Sequence, residues 1–312
     1  MTGLTSRLAG CFDRLYAPER RDLFRRITVY LALAGLVLHS ALILLANTLA
    51  DPPQIVAAVG TSFLSALYTP FSFILFYEVL LLILSIPEST TRSLGRQYEI
   101  LSLVVIRNVF KDIAEFESLD TLEDDWPEFM AVLLDMGGGL IMFALVGAFY
   151  YVNGRRPAQP QISPLERAQV QVFVERKKVI ALFLSVLLYS LALFSLGAWL
   201  LEVAGVAQGS ALPTIDIKKI FYVDLFTVLI FSDAFLLLLS LLLQDRYHLV
   251  FRNAAFVVST LLMRFSLTAS KPYDVELGIA SIAFGTLVVL VYNYFLRIEA
   301  SAGEPTQSTP PA

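Results

Sequence analysis

The chain has 312 residues, of which 57% are hydrophobic and only 16% charged, with a formal net charge of −4. Soluble domains carry charge on about a quarter of their residues, so this composition excludes an ordinary soluble globular protein. The small net charge gives no electrostatic case for a nucleic-acid partner, and a single cysteine, Cys11, leaves no intrachain disulfide to form.

In chain order, residues 4–17 come first. They place Leu4, Leu8, Phe12 and Leu15 on one helical stripe, with Arg7 and Arg14 off it and Pro18 following. This pattern reads as an amphipathic helix lying on the inner leaflet, with a frayed tail as the alternative. Apolar runs then recur at 28–49, 67–86, 129–152, 179–204, 220–244, 249–268 and 274–296, each near the ~20 residues that a spanning helix needs. The first run is too long for the apolar part of a cleaved signal and reads as a retained span. The Thr48-Leu49-Ala50 triplet keeps cleavage as the alternative.

Hydropathy alone gives seven spans. An internal repeat argues for an eighth at 97–116. Residues 76–85 and 231–240 each carry an acid, Glu78 and Asp233, followed seven positions on by a serine, Ser85 and Ser240. Further on, Ser102 and Arg107 match Ser259 and Arg264, both as serine, four residues, arginine. Upstream, Leu38-His39-Ser40 matches Leu188-Tyr189-Ser190. Downstream, Asp135-Met136-Gly137 with Phe143 matches Glu276-Leu277-Gly278 with Phe284. Chance likeness between leucine-rich helices explains the leucines but not the order acid, arginine, acid.

The charges give an independent argument. With eight spans and an internal N-terminus, seventeen of the 23 basic residues fall on the inner side and only Lys111, Lys218, Lys219 and Lys271 fall outside. Seven spans would put the basic segment 153–178 outside and destroy that bias. The sequence therefore predicts an all-α integral membrane protein of eight transmembrane helices in two parallel four-helix repeats. An even repeat unit keeps one orientation, which makes the repeats parallel about an axis normal to the membrane. The expected organisation is an N-terminal repeat with its interfacial helix at 1–152, a cytoplasmic linker at 153–178, a C-terminal repeat at 179–299 and a disordered tail at 300–312. Both termini face the cytoplasm and the lipid bilayer of the plasma membrane is the first partner. The loop 111–128 holds eight acids against Lys111 alone. It reads as a solvated, easily translocated outer loop, with cation concentration at a pathway mouth as the alternative.

The chemistry expected of the chain lies in its ionisable residues at membrane depth. A charge at the bilayer centre costs about 2.5–3.5 kcal/mol by insertion scales, so such residues mark function or fixed pairing. Glu78, Asp233, Asp135 and Glu276 are the expected ion- or proton-binding carboxylates, and Arg107 and Arg264 their counter-charges. Arg107 is expected to pair with Glu78 or Asp135, and Arg264 with Asp233 or Glu276. His39 is a possible proton relay, although Tyr189 at the matching site favours a plain hydrogen bond. Gly137, Gly138, Gly139, Gly278 and Gly285 read as close-packing positions. No nucleotide-binding, metalloprotease, paired-cysteine or potassium-filter motif occurs, and an enzyme is not expected. No cofactor is implied, and two histidines make a transition-metal centre improbable. These features point to an ion- or proton-linked transporter or channel, with small cations or protons as cargo. The alternative is a membrane sensor or assembly module whose charge pairs only hold helices together.

Overall fold

The computed structural model describes residues 2–49, 52, 53, 56, 62–115, 126–156, 164–207, 217–241 and 247–302. Among these residues the fold is entirely α-helical. In chain order the helices are α1 (Thr2–Leu15), α2 (Pro18–Thr48), α3 (Leu64–Ser85), α4 (Thr90–Glu115), α5 (Trp126–Gly154), α6 (Pro164–Ala207), α7 (Ile217–Leu241), α8 (Tyr247–Thr268) and α9 (Tyr273–Ala302). The acidic loop beyond Glu115, Pro157 and Pro160 of the 153–178 segment and the tail beyond Ala302 lie outside the described residues.

Six helices contain stretches long and apolar enough to cross a bilayer: α2, α3, α5, α6, α8 and α9. Their large hydrophobic side chains point outward, as Leu140, Phe143, Leu193, Phe194 and Leu287 do, while Glu78, Asp135, Asp233 and Arg264 are buried. Apolar outside and charged inside is the reverse of a soluble protein, and it identifies lipid as the surrounding solvent. The chain is a multi-pass membrane protein.

Helix α4 fails an apolar-composition test for a reason visible in its packing. Its 26 residues would reach about 39 Å at 1.5 Å per residue, more than a hydrocarbon core of about 30 Å. It packs against α3, α5, α8 and α9, and Ser93, Gln97, Tyr98 and Ser102 are buried in those contacts. The face of a helix that packs on protein is free to carry polar groups that a lipid-facing surface is not.

Two hydrophobic cores result, and each draws helices from both halves of the chain. One joins Phe12 of α1, and Tyr16 just after it, to Leu82 and Ile83 of α3, Leu184 and Leu188 of α6, and Leu229 of α7. The other joins Leu94 and Leu101 of α4, Met142 and Phe149 of α5, Phe256 and Met263 of α8, and Ile282 and Val289 of α9. Close approach at the second core needs small residues. A Cβ on Gly138 would strike Val275, and one on Gly285 would strike the Tyr98 hydroxyl.

The N-terminal helix differs from the sequence reading. Its buried face is Ala9, Phe12 and Tyr16, while Leu4 stays exposed. That face docks on α6, where Lys178 Nζ donates to Asp13 Oδ2 at 2.6 Å. Phe12 of the expected stripe through Leu4, Leu8, Phe12 and Leu15 lies in that buried face, where Tyr16 and Phe24 complete an aromatic cluster with it. Pro18 stops α1 by disfavouring helical backbone before it, and starts α2 from its first turn, where no amide hydrogen is missed.

Phe12→Ala should destabilise the protein by about 3–5 kcal/mol in denaturant unfolding from detergent micelles, as for other buried aromatic truncations. Removal of the half-exposed Asp13 carboxylate should cost less than about 1 kcal/mol. Equal losses would show that the ion pair, not the aromatic face, holds α1.

Candidate functional site

The deep charges assemble into two arginine–carboxylate pairs. Arg107 of α4 meets Glu78 of α3 through Nη2 and Oε2. Arg264 of α8 faces Asp233 of α7, with Nη2 3.7 Å from Oδ2. Each arginine stands seventeen residues after the first residue of its helix, and each acid seven or eight residues before the last residue of its own. Side chains on a helix lean toward its N-terminus, so both arginines reach back along α4 and α8 to acids on the preceding helices.

The pairs differ in how completely they are satisfied. Arg107 also donates from Nε to the Leu103 carbonyl at 2.9 Å. Arg264 is only 1% exposed. It donates from Nη2 to Gln97 Oε1 at a long 3.4 Å, and its Nε and Nη1 are buried with no hydrogen-bond partner among the described residues. Leaving such donors unmade in a low-dielectric interior is expensive, so Arg264 sits in a site with unused bonding capacity.

A cavity of about 70 Å³ adjoins this second pair. It lies among the α3–α4 turn, α6, α7 and α8, and Ser93, Gln97, Lys177, Asp233, Asn253 and Thr260 are in its wall. A water needs at least about 10–15 Å³ of such space and several polar neighbours, so the cavity has room for a few waters or a small ion. Lys177 is buried, donates from Nζ to the Glu88 carbonyl at 3.0 Å, and stands near enough to Asp233 for their charges to interact. On the α3–α4 side, Gln97 Nε2 donates to Ser93 Oγ at 3.1 Å, and Ser93 Oγ lies 3.3 Å from Ser85 Oγ. A polar chain therefore runs from the α3–α4 turn to Arg264.

Asp135 is fully buried, and its partner is neither arginine. Lys271, in the α8–α9 turn, lies 2.9 Å from Asp135 Oδ2 and also contacts Asp112 at the end of α4. Burial alone would lower the Lys271 ammonium pKa, but its bonds to Asp112 and Asp135 outweigh that and hold it above the ordinary lysine value. Glu276 is exposed on α9 and joins no ion pair among the described residues. His39 Nδ1 and Thr69 Oγ1 are 2.5 Å apart, a bond that ties α2 to α3 beside Gly35, whose missing Cβ makes room for Phe73. His39 enters neither charge pair.

The residues that the sequence reading passed over are Gln97, Lys177, Asp112 and Lys271. Gln97 carried a signal: it lies four residues after Ser93 on an otherwise apolar face, the spacing of a buried polar stripe. Lys177 and Lys271 read as topological charges at span ends, and only the tertiary packing turns them inward. Among the described residues no group of three or more His, Cys, Asp or Glu side chains is placed to hold a metal. No family model, curated protein or solved structure matches the chain.

Arg264→Met should destabilise more than Arg264→Met combined with Asp233→Asn, because one partner of a buried pair left charged costs about 3–5 kcal/mol. Additive effects in thermal unfolding would show that the two side chains do not interact. At the other end, Lys271→Met should cost a similar ~3 kcal/mol at neutral pH by stranding Asp112 and Asp135. The folded-state pKa of Lys271 is raised, so its stabilisation is fully present below the unfolded value of about 10.4 and is lost as pH rises through the raised one. Wild type should therefore lose this increment only in strong alkali, and Lys271→Met should show no such loss.

Proposed function

We propose that this multi-pass membrane protein is an ion- or proton-linked transporter, with Asp233 as its exchanging carboxylate and Arg264 as the counter-charge. The observation that carries the reading is a water-sized cavity, with Lys177 and Asp233 in its wall, beside a buried and incompletely bonded arginine–carboxylate pair. A pair that only registered helices would need no water-sized space beside it, and Glu78–Arg107 is in direct contact. Glu78–Arg107 accordingly serves as the rigid counterpart in the first half.

The charge balance of the cavity narrows the cargo. Lys177 and Arg264 together outweigh Asp233, which disfavours a resident metal cation. Protonation of Asp233 would release both cations to hold an anion, so a proton and a small anion favour each other's binding there. The chemistry proposed is coupled movement of the two, without covalent catalysis.

The accompanying topology is eight spans, with α4 and α7 added to the six apolar ones, both termini cytoplasmic, and the two halves related as parallel repeats in the plasma membrane. The matched registers of Arg107 and Arg264 support the repeat, and the basic residues at the linker end support the orientation. The cavity then faces the cytoplasmic side.

In proteoliposomes of wild-type protein, a pH gradient should drive proton entry that depends on chloride or nitrate and fails with gluconate. Asp233→Asn should abolish this flux, while Glu78→Gln should lower stability and leave measurable flux. No flux under any gradient, with Asp233→Asn behaving as wild type in every assay, would instead favour a sensor or assembly module with structural charge pairs. A cysteine introduced at position 120 should be labelled from outside intact cells and one at position 160 should not.

A further inference from the structure

The end of the bundle where α5 and α9 finish and α8 begins carries positive charge that the transport reading leaves unused. Arg156 follows α5, Arg252 lies in the second turn of α8, and Tyr292 of α9 stands between these segments. The Arg252 guanidinium carbon is 4.5 Å from the Tyr292 ring centre and that of Arg156 is 4.8 Å from it. The two guanidiniums therefore share one aromatic platform and come within about 9 Å of each other.

Neither has an ion-pair partner among the described residues. Arg252 is only 9% exposed, and its Nε and Nη2 both turn to a single acceptor, Asn253 Oδ1, at 3.3 and 3.0 Å. The Arg156 Nε is buried with no hydrogen-bond partner. The carboxylate at this end, Glu299, is engaged by His248 at 3.2 Å. Two like charges on one ring repel, and cation–π attraction offsets that only in part. Asn293 Nδ2 donates to the Val152 carbonyl at 2.7 Å, which locks α9 to α5 and keeps the two arginines together.

The level of this site is set by its neighbours. Tyr151, Tyr247, Phe251 and Tyr294 are all exposed around it. Such a girdle of amphipathic rings sits at the headgroup layer of a bilayer. A group that lies at that depth, carries negative charge and accepts hydrogen bonds from guanidinium forks is a phosphate. Basic pockets between spanning helices are a known means of holding lipid headgroups.

We propose that Arg156 and Arg252, over Tyr292, form a binding site for the phosphate of an anionic phospholipid. The phosphate oxygens accept from the open donors of both guanidiniums and neutralise their repulsion. The acyl chains run along the exposed apolar faces of α8 and α9, on Phe251, Val258 and Leu287. The proposal does not rest on the transport reading, because it uses neither Asp233 nor Arg264, although Asn253, which accepts from Arg252, also lies in the cavity wall.

The test is thermal unfolding of the full-length protein in nonionic detergent micelles doped with phosphatidylglycerol or phosphatidylcholine. Parallel arms contain inorganic phosphate or glycerol 3-phosphate. Phosphatidylglycerol should raise the melting temperature saturably, and phosphatidylcholine should not. Arg156→Gln and Arg252→Lys should each weaken the apparent affinity at least fivefold. Arg92→Gln, on an exposed face of α4, should leave it unchanged. Arg252→Lys keeps the charge and removes the fork, so its failure to bind distinguishes a shaped site from general attraction. Should that variant not fold, Arg156→Gln, at the more exposed arginine, decides the matter alone. Equal stabilisation by phosphatidylcholine, or unchanged affinity in both variants, would overturn the proposal. An equal shift from either soluble phosphate at the same concentration would assign the site to a free anion and overturn the lipid reading.

Discussion

A guanidinium cannot escape burial by losing its proton, so Arg264 fixes much of what surrounds it. At 1% exposed it has no route to water by snorkelling, and it lies deeper in protein than any lipid-facing charge could. Its neighbours must supply charge and acceptors, and they come from two other helices: Asp233 from α7 and Gln97 from α4. That requirement explains why α4 is polar where it faces α8, and why α7 carries an acid in the middle of a leucine run. None of these three helices can leave the bundle without stranding a buried polar group, at a cost of several kcal/mol.

The same demand is met differently in the first half, and the difference is informative. Glu78 and Arg107 are in direct contact, and Arg107 folds back on its own helix at Leu103. Asp233 and Arg264 stand 3.7 Å apart with unmade bonds beside a cavity. The two pairs thus sit at matched registers on their helices, one in direct contact and one beside a cavity. A buried pair contributes little net stability, because desolvation offsets attraction. The pair beside the cavity therefore adds little to the stability of the fold.

Much of this was readable from residue order. The deep acids and arginines stood out because a leucine-rich run gives them no other explanation, and lipid exposure follows from composition alone. The partners of Arg107 and Arg264 were narrowed to two acids each. What was hidden depended on helix ends. Lys271 read as one of a few outward-facing basic residues, yet the α8–α9 turn folds it over Asp135 and Asp112. Glu276 matched Asp135 in the repeat but lies on an exposed face of α9, because the α9 surface opposite it is taken up by Gly278 and Gly285 against Met142 and Tyr98. In α1, Phe12 of the expected stripe is buried and Leu15 packs beside it, while Leu4 stays exposed. Burial at that interface is decided by the larger rings of Phe12 and Tyr16, which bring more apolar area per residue.

Helix α8 connects the two ends of the molecule. Arg252 and Arg264 stand twelve residues apart on it, about 18 Å along the axis and about 120° around it. One therefore addresses Tyr292 and α5, and the other addresses α7 and α4. Any displacement of α8 as a rigid rod changes both environments at once, since packed helices shift between discrete arrangements rather than deform smoothly. An anion that holds Arg252 fixes the position from which Arg264 reaches Asp233. By linkage, occupancy at one end and protonation at the other must then alter each other's affinity by the same factor, provided the two states of α8 differ at both sites. The sign is set by the unmade bonds. If the arrangement with a phosphate at Arg252 also brings Arg264 closer than 3.7 Å to Asp233, phosphate binding favours the ionised carboxylate and opposes its protonation. If it draws Arg264 away, phosphate binding favours protonation. Either way, the bilayer's own headgroups would enter the equilibrium at the carboxylate, through one helix with an arginine near each end.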